Sequence, residues 1–139
     1  MARVHAVDVG YGQLAWKLAT DPRVVVHDRS NIRTLESIGE SVDLVVVDCS
    51  FIALAKVLPH VPRFLARPAD VVALVKPQFE LDPGRVGKGG IVRDAGDRQE
   101  ALARAHAAAR EIGFATVAHC ESSIAGATGN LEWLVWLAW

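Results

Sequence analysis

Two stretches of the chain decide its predicted fold: VDLVVVDCSFIAL (residues 42–54) and ALVKPQFE (residues 73–80). In each stretch a run of aliphatic residues ends at a polar side chain, Asp48 in the first and Lys76 in the second. Continuous apolar runs are typical of parallel strands that are buried on both faces, whereas half-buried strands alternate. The sequence therefore predicts two buried parallel strands, each with a polar residue at its carboxyl end.

Similar short runs recur along the chain and alternate with helical patterns. Helices are expected over about residues 13–19, 51–66 and 97–112. Pro59 and Pro62 must kink or split the second of these, and the third ends at Gly113, a residue typical of helix termination. This alternation is typical of an open α/β sheet. The predicted strands are Arg3–Val9, Val24–His27, Val42–Val47, Val71–Val75, Ala115–Ala118 and Leu134–Leu137.

Composition sets the class of protein. The 139 residues suit one domain, and the hydrophobic fraction of 51% is enough for a core. The 15 basic and 16 acidic residues exclude a protein that holds nucleic acid by bulk positive charge. Two cysteines and five scattered histidines predict neither a disulfide framework nor a metal site. The chain lacks both a secretory signal pattern and an apolar run of about 20 residues, so we expect a cytoplasmic protein without a membrane partner.

A glycine motif allows two interpretations. Residues Gly10–Ala15 follow a predicted strand and fit G-x-G-x-x-A, and Asp28 lies near the spacing of an acid that binds a ribose. Taken alone, this pattern predicts a nucleotide-binding crossover. A dinucleotide-dependent oxidoreductase that uses Gly10–Ala15 and Asp28 is one competing hypothesis, but it accounts for neither Lys76 nor the KPQFE segment. Asp8 and Asp28, both at predicted strand ends, have the alternative role of turn formers or helix caps.

The segment Pro77–Asp94 is a long polar loop that contains Arg85, Lys88 and Arg93 among glycines. Glycines allow a backbone to approach phosphate closely, and the cations attract it. We therefore expect either an RNA-facing lid or an ordinary solvated loop.

Six segments resemble the TlyA family, which comprises FtsJ-like, S-adenosylmethionine-dependent 2'-O-methyltransferases of ribosomal RNA, many of them labelled haemolysins. The resemblance implies one Rossmann-like methyltransferase domain over residues 1–139, with a mostly parallel open sheet and helices on both faces. It also implies that Val42–Val47 and Val71–Val75 are adjacent, parallel and central, with Leu134–Leu137 antiparallel to them. The segments are VDVGYGQLAWKL (7–18), DPRVVVHDRSNIR (21–33), VDLVVVDCSFIAL (42–54), ALVKPQFE (73–80), VGKGGIVRD (86–94) and GNLEW (129–133).

The same resemblance implies a cofactor site for S-adenosylmethionine. Asp8 matches the acid that holds the cofactor's ribose, and Asn31 with Ile32 matches the position that contacts adenine. Asp48 lies where the family places the methyl donor.

A catalytic set is implied at the strand ends. Asp48, Lys76 and Glu132 match three members of a Lys-Asp-Lys-Glu tetrad, with Lys76 as the base or the group that stabilises the forming alkoxide. The implied partner is ribosomal RNA or a ribosomal subunit, contacted through Arg85, Lys88 and Arg93.

The chain also departs from the family pattern. An S4 domain and the first, glycine-rich cofactor strand precede the matching region in the family, and neither is present in these 139 residues. We therefore expect an N-terminally truncated methyltransferase with impaired activity. The alternative is a non-catalytic remnant that binds RNA or a partner. A haemolysin role has no support in the sequence, which lacks a basic amphipathic helix.

Overall fold

The structure is a computed structural model that describes residues 2–139, and it divides into two compact units at Glu40 and Ser41. The first unit contains strand β1 (Val4–Val7), a short helix α1 (Trp16–Ala19) and strand β2 (Val24–His27). β1 and β2 pair in parallel, from Val4 opposite Val24 to Val7 opposite His27. The predicted bounds of β2 are confirmed, whereas β1 and α1 are shorter than predicted.

The second unit is a four-stranded sheet in the order β3-β4-β6-β5. β3 and β4 pair in parallel, and β6 pairs antiparallel with both β4 and β5. This confirms the predicted neighbours of β4, but β3 is an edge strand of this sheet and not a central one. The α/β class is confirmed, with a mixed sheet. The strands are β3 (Val42–Val47), β4 (Leu65–Val75), β5 (Ala115–Glu121) and β6 (Trp133–Ala138).

One face of this sheet forms the core. Three alternate cross-strand pairs of β4 and β6 are buried, namely Val75–Trp133, Ala73–Val135 and Val71–Leu137. The opposite face exposes Leu44, Val46, Leu134 and Trp136. The expectation of burial on both faces is therefore wrong for this unit. An apolar run shows that a strand tolerates burial on both sides, but burial depends on what packs against each side.

The α-helix predicted over 51–66 is absent, and the interruption predicted at Pro59 and Pro62 extends over the whole segment. This segment forms three 3₁₀ turns, Leu54–Lys56, Leu58–His60 and Pro62–Phe64, and β4 begins at Leu65. Pro59 is the second residue of the second turn, and Pro62 is the first residue of the third. Because proline has no backbone N–H and its ring clashes with the preceding turn, a continuous α-helix cannot form through both positions.

Two helices follow β4: α2 (Pro77–Glu80) and α3 (Ala95–Ile112). Asp94 caps α3 by accepting a hydrogen bond from the Asp97 N–H at 2.9 Å, and Gly113 ends it with a positive φ of 108°. The predicted helix is thus confirmed and begins two residues earlier than expected. Among residues 2–139, no helix has both the length and the apolar character needed to cross a bilayer.

Glu80, at the end of α2, is a buried carboxyl with a structural partner. It is 8% exposed, and its Oε1 accepts a hydrogen bond from the Leu54 N–H at 2.8 Å. Burial raises the pKa of Glu80, while the Leu54 N–H acts in the opposite direction. Glu80 therefore joins α2 to the first 3₁₀ turn.

We predict that Leu137→Ala destabilises the chain by about 2–5 kcal/mol, the range typical of a buried leucine. Leu137 is 1% exposed, and its removal leaves a cavity beside β4. The matched control is Leu134→Ala on the same strand, where the side chain is 39% exposed and the expected loss is smaller. Denaturant unfolding followed by circular dichroism measures both. Equal losses would contradict the assignment of the core to one face.

We predict that Glu80→Gln makes stability less dependent on pH. Because the folded-state pKa of Glu80 is above the unfolded one, folding favours the protonated carboxyl, and this contribution is lost as pH rises through the folded pKa. Glutamine keeps an acceptor for Leu54 and has no charge to bury, so the variant gains stability relative to the wild type towards neutral pH. Glu80→Leu, in contrast, leaves the Leu54 N–H without a partner at a cost of about 1–3 kcal/mol. Unfolding curves between acid and neutral pH test both, and a parallel pH profile for Glu80→Gln would contradict the assignment.

Candidate active site at the strand ends

The carboxyl ends of β3 and β4 lie side by side because the strands are parallel. Asp48 directly follows β3, and Lys76 directly follows β4. The Lys76 Nζ lies 2.7 Å from Asp48 Oδ1, and it donates a hydrogen bond to Ser50 Oγ at 3.2 Å. The structure therefore brings together the two strand-end residues on which the sequence analysis focused.

The exposure of these two side chains differs. The Lys76 side chain is 14% exposed, whereas the Asp48 side chain is 64% exposed. A lysine ammonium has three N–H donors and no acceptor. Within residues 2–139, Asp48 and Ser50 occupy two of these donors, which leaves one for a molecule that approaches the rim.

Glu132 lies on the other side of Lys76. Val75 pairs with Trp133 in the antiparallel register of β4 and β6, so Lys76 and Glu132 occupy the next opposed positions. Glu132 is 5% exposed, and no ion pair within the described residues joins it to Lys76. The third predicted member of the set is therefore adjacent in register but is not in contact as an ion pair.

Ser50 and Phe51 were missed by the sequence analysis. Phe51 is 91% exposed, has a positive φ of 63°, and lies 5.1 Å from Phe79 between ring centroids. A positive φ in a bulky residue is uncommon, and strained backbone positions of this kind cluster at functional sites. Their position could have indicated them, because Ser50 and Phe51 are two and three residues after Asp48, at the end of a predicted strand.

In the first unit, the two acids of the competing motif interpretations hold the same glycine turn. Asp8 Oδ1 accepts a hydrogen bond from the Gly10 N–H at 2.6 Å, and Asp28 Oδ2 accepts one from the Gly12 N–H at 3.1 Å. Each carboxylate keeps one oxygen without a partner among the described residues, and a ribose diol needs an acceptor of this kind. The residues therefore fit a nucleoside ligand, and the geometry does not choose between Asp8 and Asp28.

The predicted adenine contacts follow β2. Asn31 is exposed and its Oδ1 accepts a hydrogen bond from the Arg33 N–H at 3.0 Å, while Ile32 is half-buried. The side-chain amide nitrogen of Asn31 thus keeps its donors for a ligand. Within residues 2–139, no cluster of metal-ligating side chains is present.

The three cations predicted to contact RNA differ in their surroundings. Arg85 contacts Asp97 and forms an ion pair with Glu100 at 2.8 Å, and these carboxylates raise its pKa. Arg85 is therefore occupied in holding its loop to α3. Lys88 and Arg93 are exposed, and no ion pair in residues 2–139 involves either of them.

The segment 77–94 is more ordered than a solvated loop. It contains α2 and a 3₁₀ turn at Pro83–Arg85. Leu81 and Val92 pack with Ala101 of α3, and Val86 lies against this cluster. A small apolar cluster thus packs the segment against α3, while Lys88 and Arg93 are exposed to solvent.

Comparison with known proteins places this arrangement among methyltransferases. The chain is 51% identical over 138 residues to the "16S/23S rRNA (cytidine-2'-O)-methyltransferase TlyA" of Mycobacterium tuberculosis, covering 98% of this chain and 52% of that protein. It is 39% identical to "Hemolysin A" of Brachyspira hyodysenteriae, covering 95% and 56% of the two chains. The chain thus spans about half the length of the curated relatives it matches.

Solved structures agree with the fold. A hemolysin-named protein from Streptococcus thermophilus superposes with a TM-score of 0.93 at 38% identity, covering 98% of this chain and 50% of that one. The N-methyltransferase NodS from Bradyrhizobium japonicum, in complex with S-adenosyl-L-homocysteine, superposes with a TM-score of 0.62 at 14% identity, covering 98% and 66%. The second match shows a shared fold only.

The FtsJ-like methyltransferase family model matches residues 1–139. This match confirms the sequence prediction of a methyltransferase-family chain, and the superposed structures confirm the Rossmann-like fold. The predicted cofactor, S-adenosylmethionine, agrees with the family match. The chain belongs to the FtsJ-like methyltransferase family.

Proposed function

We propose that this chain carries catalytic residues for the transfer of a methyl group from S-adenosylmethionine to a ribose 2'-hydroxyl of ribosomal RNA. The observation that carries the proposal is the Lys76–Asp48 ion pair of 2.7 Å at the carboxyl ends of two parallel strands. The identity of 51% to a relative named as an rRNA (cytidine-2'-O)-methyltransferase supports this substrate class.

The cofactor residues are proposed to be Asp8 for the ribose, Asn31 and Ile32 for the adenine, and Asp48 beside the methyl donor. When bound, S-adenosylmethionine supplies an electrophilic methyl group on a sulfonium, which is already a good leaving group. The task that remains for the protein is to bind, to orient the hydroxyl and to assist loss of its proton.

Lys76 assists the last of these tasks by stabilising the oxygen that loses its proton, while the proton itself passes to solvent water. A ribose hydroxyl is a poor nucleophile, and negative charge develops on its oxygen as the new bond forms. Asp48 and Ser50 hold the Lys76 Nζ in one position, which leaves its third N–H to donate to that oxygen. A positioned cation of this kind stabilises the forming alkoxide.

Glu132 is proposed to complete the electrostatic environment of Lys76. It lies opposite Lys76 in the β4–β6 register and is almost fully shielded from solvent. Together with Asp48, Glu132 thus places a carboxyl group on each side of Lys76, in the order β3-β4-β6 of the strands that carry them.

Contacts with RNA are proposed at two places around the rim. The exposed ring of Phe51, in contact with Phe79, is a surface on which an unpaired base can stack. Lys88 and Arg93 are free to contact phosphate, whereas Arg85 is engaged with α3. In this proposal the aromatic pair stacks on an RNA base, and the two cations contact the RNA phosphate backbone.

We predict that Lys76→Ala lowers the rate of methyl transfer by about 10²–10⁴-fold, as is typical for loss of one positioned catalytic group. The assay measures transfer of a radiolabelled methyl group to ribosomal RNA and to isolated ribosomal subunits. Two proteins are used: this chain alone, and a chimera in which the part of the Mycobacterium tuberculosis relative outside the matched region precedes it.

The control for that assay is Lys56→Ala, which removes an exposed lysine of the same unit and leaves the rate unchanged. Lys76→Arg keeps a positive charge, but its planar guanidinium does not reproduce the compact ammonium, so we expect little rescue. A Lys76→Ala chimera that methylates at the wild-type rate would overturn the catalytic assignment. A wild-type chimera without transfer would instead favour the non-catalytic RNA- or partner-binding alternative.

We predict that Asp8→Asn weakens S-adenosylmethionine binding by about tenfold or more, because a hydrogen bond to a charged group contributes about 1.5–3 kcal/mol. Asp28→Asn is the matched control and leaves binding nearly unchanged. In both variants the amide oxygen can still accept from its glycine N–H, so the turn is preserved. Isothermal titration measures the dissociation constants. The reverse order of effects would favour the interpretation in which Asp28 binds the ribose.

A further inference from the structure

The GNLEW segment contains a buried residue to which the site described above assigns no role. Asn130 is 1% exposed, and its side-chain amide has a partner for every polar atom. Oδ1 accepts a hydrogen bond from the Val92 N–H at 2.9 Å, and Nδ2 donates to the Gly90 carbonyl at 2.7 Å and to Thr128 Oγ1 at 3.1 Å. A buried amide with this degree of satisfaction rigidly connects the elements that it contacts.

The backbone of Asn130 closes the turn 126–130, and this turn packs against Glu132. The Asn130 carbonyl accepts a hydrogen bond from the Gly126 N–H at 2.9 Å, and Gly129 has a positive φ of 86°. A methyl group on Gly126 would overlap Glu132 Oε1 and lie 3.0 Å from Glu132 Cδ. The turn 126–130 therefore lies directly over the carboxylate at the strand-end rim.

The side-chain amide of Asn130 is hydrogen-bonded to the segment that carries the two exposed cations, Lys88 and Arg93. The turn at Gly87 is internally bonded, with its N–H donating to the Ile91 carbonyl at 3.0 Å. Its polar connections to the rest of the unit are Asn130, through Gly90 and Val92, and Arg98, which donates to the Arg93 carbonyl at 2.7 Å. Lys88 and Arg93 flank the points that Asn130 holds.

We propose that Asn130 is a positioning residue that fixes Lys88 and Arg93 relative to the Glu132 rim, so that RNA bound by these cations is presented to Lys76. The proposal rests on the proposed function, since it assigns Lys88 and Arg93 to phosphate contacts. One carboxamide thus links the RNA-contacting turn to the turn that covers the strand-end carboxylate.

The first experiment tests the connection without any RNA. Amide hydrogen exchange is measured on the full chain for the wild type, Asn130→Ala and Asn130→Asp. In Asn130→Ala, protection of the Val92 N–H falls by about tenfold or more because its acceptor is removed, while protection of Val135 in β6 is unchanged. Asn130→Asp keeps an acceptor for Val92 but cannot donate to Gly90 when ionised, so Val92 retains most of its protection. Unchanged protection of Val92 in Asn130→Ala would overturn the proposal.

The second experiment is a mutant cycle on RNA affinity. Binding of a labelled 23S ribosomal RNA transcript is measured for the wild type, for Asn130→Ala, for Lys88→Ala/Arg93→Ala, and for the combination. We expect Asn130→Ala to weaken binding about threefold to tenfold in the wild-type background and to have no further effect once both cations are absent. In the Lys88→Ala/Arg93→Ala variant we also expect a weaker salt dependence of RNA affinity: the slope of log K against log salt concentration falls by about one per lost phosphate contact.

The outcomes of the two experiments are distinct. An effect of Asn130→Ala on binding that persists without the cations would show a general loss of structure, and it would overturn the positioning role. If the wild type does not bind RNA and Val92 nevertheless loses protection in Asn130→Ala, the RNA contact of the proposed function fails and the positioning role fails with it, leaving only a structural connection.

Discussion

β4 is hydrogen-bonded along both of its edges, to β3 in parallel and to β6 in antiparallel orientation. This double pairing places the carboxyl ends of β3 and β4 and the start of β6 on one rim of the sheet. Lys76, Asp48 and Glu132 occupy the residues at these three points, so their proximity follows from strand register. A slip of one residue would turn the core side chains of β4, such as Val71 at 0% exposure, to the open face. Core packing therefore enforces the geometry of the rim.

The segments that follow the rim are fastened by polar groups as well as by apolar packing. Glu80 holds α2 to the 3₁₀ turn at Leu54, and Arg104 of α3 donates to the Glu80 carbonyl at 3.2 Å. Arg85 holds the next turn to α3 through Asp97 and Glu100, and Asn130 holds the turn after that. Because each of these contacts reaches a different part of the unit, the segment 77–94 has a defined course although few of its residues belong to regular elements. Its unpaired cations, Lys88 and Arg93, are thereby presented from a supported backbone.

Several elements were predictable because their signals are local. The bounds of β2 and β3 follow from valine-rich runs, VVVH and VDLVVV, and the end of α3 follows from the conformational freedom of Gly113. In the segment 51–66 the sequence predicted an interruption at Pro59 and Pro62, but it did not predict that the segment would contain no α-helix. Its conversion into three short turns depends on the core that Leu58 and Val61 fill, both at 1% exposure.

The strand runs, the polar residues that end them and the matching family segments can all be recognised in the amino-acid sequence. These features depend on the order of neighbouring residues, because backbone sterics and side-chain burial act over a few positions. Four other features required the folded chain: the buried face of the sheet, the contact of Ser50 with Lys76 beside Asp48, the ion pairs of Arg85, and the bridge that Asn130 forms between two turns. The last three depend on partners between 12 and 40 positions away along the chain, and packing alone brings such residues into contact.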